Sequence, residues 1–329
     1  KSRRSCQRVG ASETVQDSGQ GRATRGGTDI MYKVCLLIIY NHRYDDNIEK
    51  LENIYSERFS HIMHIIPFYN GTKENVIPVY ECSFRFQGYI AQAWSRFQGD
   101  YEQYLFIADD MILNPEINEG NYQKYFHVKN EEAFLTWTKP IGDLGGWGFG
   151  RRFMDPLPVF EWYNGTHWKD EIMPEEKAFK IAETKGFSRG NFTIPLRIIW
   201  NNRRNIRKYP RLFVLFFKIL LLGAQQCPYP IWGGYSDVII VPGKKMKEIA
   251  HMLGVFAGMN LHVEMAIPTV INLLCEKVKE QNDIEGEIKL IWNMEEKHNM
   301  VKKYNGNYHK LVDAWDKKWV LIHPVKLSQ

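Results

Sequence analysis

The sequence contains no CxxC pair, no long apolar run and few large apolar residues near its start. Its five cysteines, Cys6, Cys35, Cys82, Cys227 and Cys275, are odd in number and widely spaced. That pattern gives neither a disulfide framework nor a zinc site, and it suits a reducing compartment. No stretch reaches the roughly 18 apolar residues of a spanning helix. Residues 1–30 are rich in Gly, Ser, Arg and Thr and lack the apolar centre of a secretory signal. They read as a disordered leader or an upstream segment, with Met31 as the expected natural start. Without that signal the three Asn-x-Ser/Thr sites, at Asn70, Asn164 and Asn191, carry no expectation of glycosylation. The chain is not short of core material: 44% of its 329 residues are hydrophobic, which excludes a disordered or low-complexity protein. A net charge of +5 is too weak to argue for nucleic acid.

From residue 33 onward strand-like and helix-like patterns alternate. Lys33–Tyr40 (KVCLLIIY) is a continuous apolar run, the signature of a strand buried on both faces. Asp45–Phe59 places Ile48, Leu51, Ile54 and Tyr55 on one helical side. Strands are expected at His61–Tyr69 and Val76–Tyr80, a helix at Gly88–Phe97, and a strand at Gln103–Asp110 (QYLFIADD). Further on, helices are expected at Glu175–Lys185, Lys244–Phe256 and within His262–Glu276, mostly after Pro268. Strands are expected at Val238–Val241 and Trp319–His323. This alternation predicts a mostly parallel α/β sheet flanked by helices. Ligands of such sheets bind beyond the carboxyl ends of the strands. Tyr40, Asn41 and Arg43 leave one strand there, and Asp109 and Asp110 leave another.

An acidic pair at a strand end suits a hard divalent cation that bridges phosphate oxygens; adjacent aspartates also cap loops and helices. The run YLFIADDMILNP resembles the metal-binding segment of the GT-A glycosyltransferases, which move sugars from nucleotide-sugars. Its first acidic position is Ala108 here. Other segments resemble the same superfamily in order: LLIIYNHRYDDNIEKL its first strand and nucleotide loop, IWGGYSDVIIVP its glycine-rich loop, HVEMAIPT its catalytic acidic motif, and LIHP its C-terminal metal-ligand histidine.

The resemblance implies a single GT-A-like, Rossmann-type catalytic domain over 31–329, with a nucleotide-sugar-binding half at 31–150 and an acceptor-binding half at 151–329. It implies Mn²⁺ or Mg²⁺ on Asp110 and His323. Tyr40, Asn41, Arg43, Asp109, Gly233 and Gly234 would meet the donor, and Glu264 would act as base if the transfer inverts the anomeric centre. Ordinary structural roles compete at each place: a helix-dipole acid at Glu264, a core histidine at His323, a turn at Gly233–Gly234, a plain loop at Asn41 and Arg43. The Gly142–Gly150 loop does not match a phosphate-cradling motif.

Two other functions remain in view. A sugar-phosphate nucleotidyltransferase shares the acidic α/β site, but it usually carries a glycine-rich, lysine-containing loop where this chain reads YNHRYDD. A non-catalytic, membrane-associated carbohydrate- or nucleotide-sugar-binding protein accounts for Ala108.

From Thr184 to Ser236 there is no Asp or Glu and there are nine Lys or Arg residues; with +5 overall, the rest of the chain is at −4. RRNIRKYPR runs directly into LFVLFFKILLLG. Basic residues beside a short apolar segment suit a helix lying on an anionic bilayer; a buried core helix, or arginines facing a pyrophosphate or an anionic acceptor, are the rivals. The docking segment is expected over about 197–223. It would set the protein on the cytoplasmic membrane face, near lipid-linked or glycan acceptors, in surface polysaccharide or glycolipid synthesis.

Overall fold

The first apolar run forms a strand whose alternate residues feed two different cores. In β1 (Tyr32–Ile39), Cys35, Leu37 and Ile39 join one buried cluster, and Val34, Leu36 and Ile38 join the other. A strand with apolar side chains on both faces must be covered on both. Helix α1 (Asp46–Tyr55) does so on one side through Ile48, Leu51, Ile54 and Tyr55. Helices α2 (Phe86–Phe97), α3 (Glu175–Thr184), α4 (Pro210–Leu222), α5 (Met246–Gly258) and α6 (Val263–Leu274) contribute to the cluster on the other.

The computed structural model describes residues 32–144, 167–194, 210–304 and 306–327. These belong to one compact unit, Met31–Gln329. The expected leader, most of the Gly142–Gly150 loop and residues 197–209 of the expected docking segment lie outside the described residues.

The main sheet continues through β2 (Ile62–Pro67), β3 (Val76–Val79) and β4 (Tyr101–Ala108). The short β5 (Ile112–Leu113) belongs to another sheet; β6 (Ala133–Pro140) returns to the main one. A ribbon of β7 (Thr193–Ile194) and β8 (Gln225–Gln226) precedes β9 (Trp232–Pro242) and β10 (Val278–Lys279). The seven-stranded order is β10-β6-β9-β4-β1-β2-β3. All neighbours run parallel except at β9, which is antiparallel to both β4 and β6. The expected mixed, mostly parallel sheet between helices is thus the observed one. Chain order reverses between β1 and β4, since β1 leads outward to β2 while β4 flanks it on the other side. That reversal makes the crevice where such sheets bind ligands.

A second sheet has the order β11-β12-β5, with β11 at Glu287–Leu290 and β12 at Trp319–His323. Helix α7 (Met294–Tyr304) lies between β11 and β12 in the chain. Helix α6 starts at Val263, earlier than expected, and holds Pro268 inside it. The proline forfeits the bond its N–H would have given the Glu264 carbonyl, four residues back. Among the described residues no helix is long and apolar enough to cross a membrane, and Cys35, Cys82 and Cys275 are free thiols.

Behind β1 lies a buried histidine with a consequence for pH. His64 on β2 is wholly buried, and its Nδ1 is 2.9 Å from the Tyr40 hydroxyl. Burial, opposed by Glu52, pulls its pKa down to about 4. The unfolded chain protonates the same ring near 6.5. Between those values the unfolded state binds more protons, so stability falls as pH drops. Going from pH 6.5 to 4.5 is expected to cost about 2 kcal/mol through this residue. Urea unfolding at the two pH values checks it: His64→Asn should lose about that much less than the wild type.

Candidate active site

Three chain segments converge at the carboxyl end of β4. Asp109 and Asp110 follow directly from the strand. Asp109 is 2% exposed; its Oδ1 accepts from the Asn41 backbone N–H at 3.4 Å and its Oδ2 from Asn47 Nδ2 at 3.3 Å. Burial, with the neighbouring Asp110 charge, raises its pKa to about 7. The residue therefore ties the β1 loop to the start of α1. It was expected to hold the donor; it edges the cleft, but both carboxylate oxygens are engaged within the protein.

Asp110 turns the other way. Its Oδ1 lies 3.0 Å from His323 Nε2, across 213 positions of sequence. The register of the second sheet explains the meeting. Ile112 pairs with Ile322, and Leu113 with Leu321, antiparallel; one step further sets His323 beside the Asp110 end of β5. The Val325 N–H closes this junction on the Asp110 carbonyl at 2.6 Å. Burial disfavours the Asp110 charge, but the bond to His323 and the nearby His323 and Lys326 charges outweigh it, so its pKa falls. His323 shows the mirror case: burial opposes its charge, and Asp110, Asp237 and Asp109 prevail and raise its pKa.

The antiparallel β9 supplies the third segment. Because it runs against β4, its early residues lie at the carboxyl end of the parallel strands. Tyr235 Oη is 2.7 Å from His323 Nδ1, and Asp237 Oδ2 is 3.7 Å from His323 Nε2. Burial, then Asp237, Asp110 and Glu264, keep the Tyr235 hydroxyl protonated. Glu264, in the first turn of α6, thus belongs to the same electrostatic neighbourhood. Its side chain is largely buried, and its backbone N–H donates to His262 Nδ1 at 3.2 Å. The exposed Trp292 indole stands edge-on to Tyr235 and His323, at centroid distances of 5.5 and 5.8 Å.

Beside this junction is a cleft of about 190 Å³ lined by Asn41, His42, Tyr44, Asn47, Asp109, Asp110 and residues 325–327. Several of the expected residues lie away from its walls. Tyr40 is wholly buried, with its hydroxyl on His64, and acts as a core residue with no face toward a ligand. Arg43 is held by Asp45, with Nη2 2.7 Å from Oδ2, and does not line the cleft. His42 and Tyr44, whose rings meet edge to face at 5.8 Å, line it in its place. Gly233 and Gly234 are buried in β9, opposite Lys139 and Thr138. A Cβ at Gly233 would strike Leu144 and Met265, and one at Gly234 would strike the Trp137 carbonyl. The close approach that these glycines permit is to the chain itself. A larger cleft of about 600 Å³, lined by residues including Lys129, Glu132 and Lys277, sits where β6 and β10 begin, at the end of the sheet remote from Asp110.

Asp237, Tyr235, His42, Tyr44, Trp292 and Lys326 were not read as site residues from the sequence. Only Asp237 had a usable signal, as an acid within an otherwise apolar strand.

The donor set suits a hard divalent cation. Its candidate ligands are the Asp110 carboxylate and the His323 imidazole, 3.0 Å apart. Among the described residues no group of three or more His, Cys, Asp or Glu forms a complete metal site. For His323 to ligate, Nε2 must carry no proton. Nδ1–H then donates to Tyr235, whose hydroxyl turns to Asp237, an arrangement typical of ligand histidines.

No protein-family model and no curated protein matches this chain.

Proposed function

We propose that the chain is a GT-A-type glycosyltransferase, moving a sugar from a nucleoside-diphosphate sugar to a hydroxyl of a glycan or lipid-linked acceptor. The observation that carries the reading is the Asp110–His323 contact at a chain-order reversal, backed by Asp237 on β9, the antiparallel strand of the main sheet. Acidic residues at that position of an α/β sheet suit a diphosphate whose charge must be neutralised as it leaves. The residues resembling GT-A motifs in sequence, Asp110, Glu264 and His323, share this one neighbourhood.

Asp110 and His323 would hold Mn²⁺ or Mg²⁺, which supplies Lewis-acid stabilisation of a departing diphosphate. Lys326, at the cleft wall, adds a fixed positive charge on the same side. His42 and Tyr44 offer ring faces at the cleft mouth for a nucleobase. Asp109 orders their loop through Asn41 and Asn47. Glu264 is the general base of an inverting transfer, taking the acceptor hydroxyl proton as the oxygen attacks the anomeric carbon.

Glu264→Gln is expected to reduce turnover by about 10²–10⁴-fold in such a transfer while leaving donor affinity unchanged. Steady-state rates paired with donor titration check it; unchanged turnover would remove Glu264 from the base role. The reading as a whole is tested by thermal shift against UDP-, GDP-, CMP- and dTDP-sugars, with Mn²⁺ or EDTA. A donor at 100 times its Kd stabilises the native state by about 2.7 kcal/mol. One nucleotide class should raise Tm, and EDTA should abolish the effect. No shift with any class would defeat the proposal.

A further inference from the structure

Helix α4 is apolar on nearly every side, a composition that ordinarily marks a buried helix. Here only part of it is buried. Ile219 is 3% exposed and packs into the main core, whereas Leu221 is 78% and Leu222 71% exposed, with Val214, Phe217 and Leu220 also open to solvent. The pattern follows the helical turn. Val214, Phe217 and Leu221 fall at i, i+3 and i+7 on one face, and Ile219 lies about 200° around the helix from both Phe217 and Leu221. The helix stops at Gly223, whose φ of 81° ends it in the left-handed turn that glycine adopts without strain. At 13 residues it is about 20 Å long, too short to span a bilayer.

Charge identifies what covers this face. In sequence Arg207 and Lys208 stand just before the helix and Arg211 is its second residue, and no acidic residue occurs from Thr184 to Ser236. A protein partner with an ordinary mixed surface has no need of such one-sided charge. An anionic bilayer matches both halves: acyl chains for the leucines, headgroup phosphates for the arginines. We propose that α4 docks the protein on an anionic membrane surface, lying in the plane of the interface with Val214, Phe217 and Leu221 inserted. The proposal stands independently of the glycosyl-transfer reading.

Flotation of the full chain with vesicles tests it, using phosphatidylcholine alone or with about one third phosphatidylglycerol. Binding should require the anionic lipid. Leu220→Glu with Leu221→Glu should weaken it by about 30-fold or more. Arg207→Gln, Lys208→Gln and Arg211→Gln together should weaken it about 100-fold, at roughly fivefold per charge. Circular dichroism confirms that both variants fold, since every altered leucine is exposed. Equal binding to neutral vesicles, or unchanged binding by the leucine variant, would overturn the proposal. So would a concentration-dependent dimer that the leucine variant abolishes, because a second copy would then cover the face.

Discussion

Asp110→Asn is expected to leave a folded protein that no longer transfers sugar. The amide keeps the size of the carboxylate, and its oxygen can still accept from His323 Nε2 at the 3.0 Å separation. It loses the charge that would hold a divalent cation. Metal stabilisation of developing negative charge is worth several kcal/mol, so turnover should fall by about a thousandfold or more. Tm without ligands should stay within a few degrees of wild type, while the Mn²⁺-dependent donor shift disappears. Stopped or continuous assay of donor consumption, beside a melting curve, reads both at once. Full activity in this variant would remove Asp110 from the chemistry.

Trp232→Ala is expected to have the largest effect on the fold. The indole is wholly buried at the start of β9, 4.8 Å from the Phe192 ring centroid and 6.0 Å from Phe187. Its backbone N–H donates to Thr269 on α6 at 3.0 Å. Truncation empties the contact between β9 and the segment before β7. Removing a buried Trp costs about 3–5 kcal/mol, which lowers Tm by about 10 °C in a domain of this size. The same loss should loosen Tyr235 and Asp237 three and five residues along the strand, so donor affinity should fall with stability. A thermal melt and a donor titration check the pair; a Tm within about 2 °C of wild type would contradict the packing described.

The parts of this molecule that were legible in its sequence are those with local signals. β1 shows as an unbroken apolar run because both of its faces are covered. α1 shows through the spacing of Ile48, Leu51, Ile54 and Tyr55, all of which the structure buries. The direction of β9 had no such signal, since an apolar run reads the same for parallel and antiparallel neighbours. That direction is what brings Asp237 and Tyr235 to the site. β6 went unread: AFLTWTKP mixes apolar and polar residues without a clean period, and tertiary pairing with β9 and β10 makes it a strand.

The site divides along the same line. Asp110, Glu264 and His323 stand in short motifs and were readable. Their assembly depends on β5, two residues long, pairing with β12, which no local pattern announces. Tyr40 and Arg43 lie off the cleft for a related reason. The sequence shows that they leave a strand end, but the side-chain partners that turn them away from the cleft, His64 and Asp45, follow only from the folded geometry.

The most direct test of the account is the product released when the purified protein meets a nucleotide-sugar that stabilises it, with Mn²⁺ and a hydroxyl acceptor. Glycosyl transfer breaks the bond between the anomeric carbon and the diphosphate, so the account predicts free nucleoside diphosphate, formed by wild type and lost in Asp110→Asn. Donor binding with no nucleoside diphosphate released for any acceptor class, or pyrophosphate released from a nucleoside triphosphate and a sugar phosphate, would contradict it.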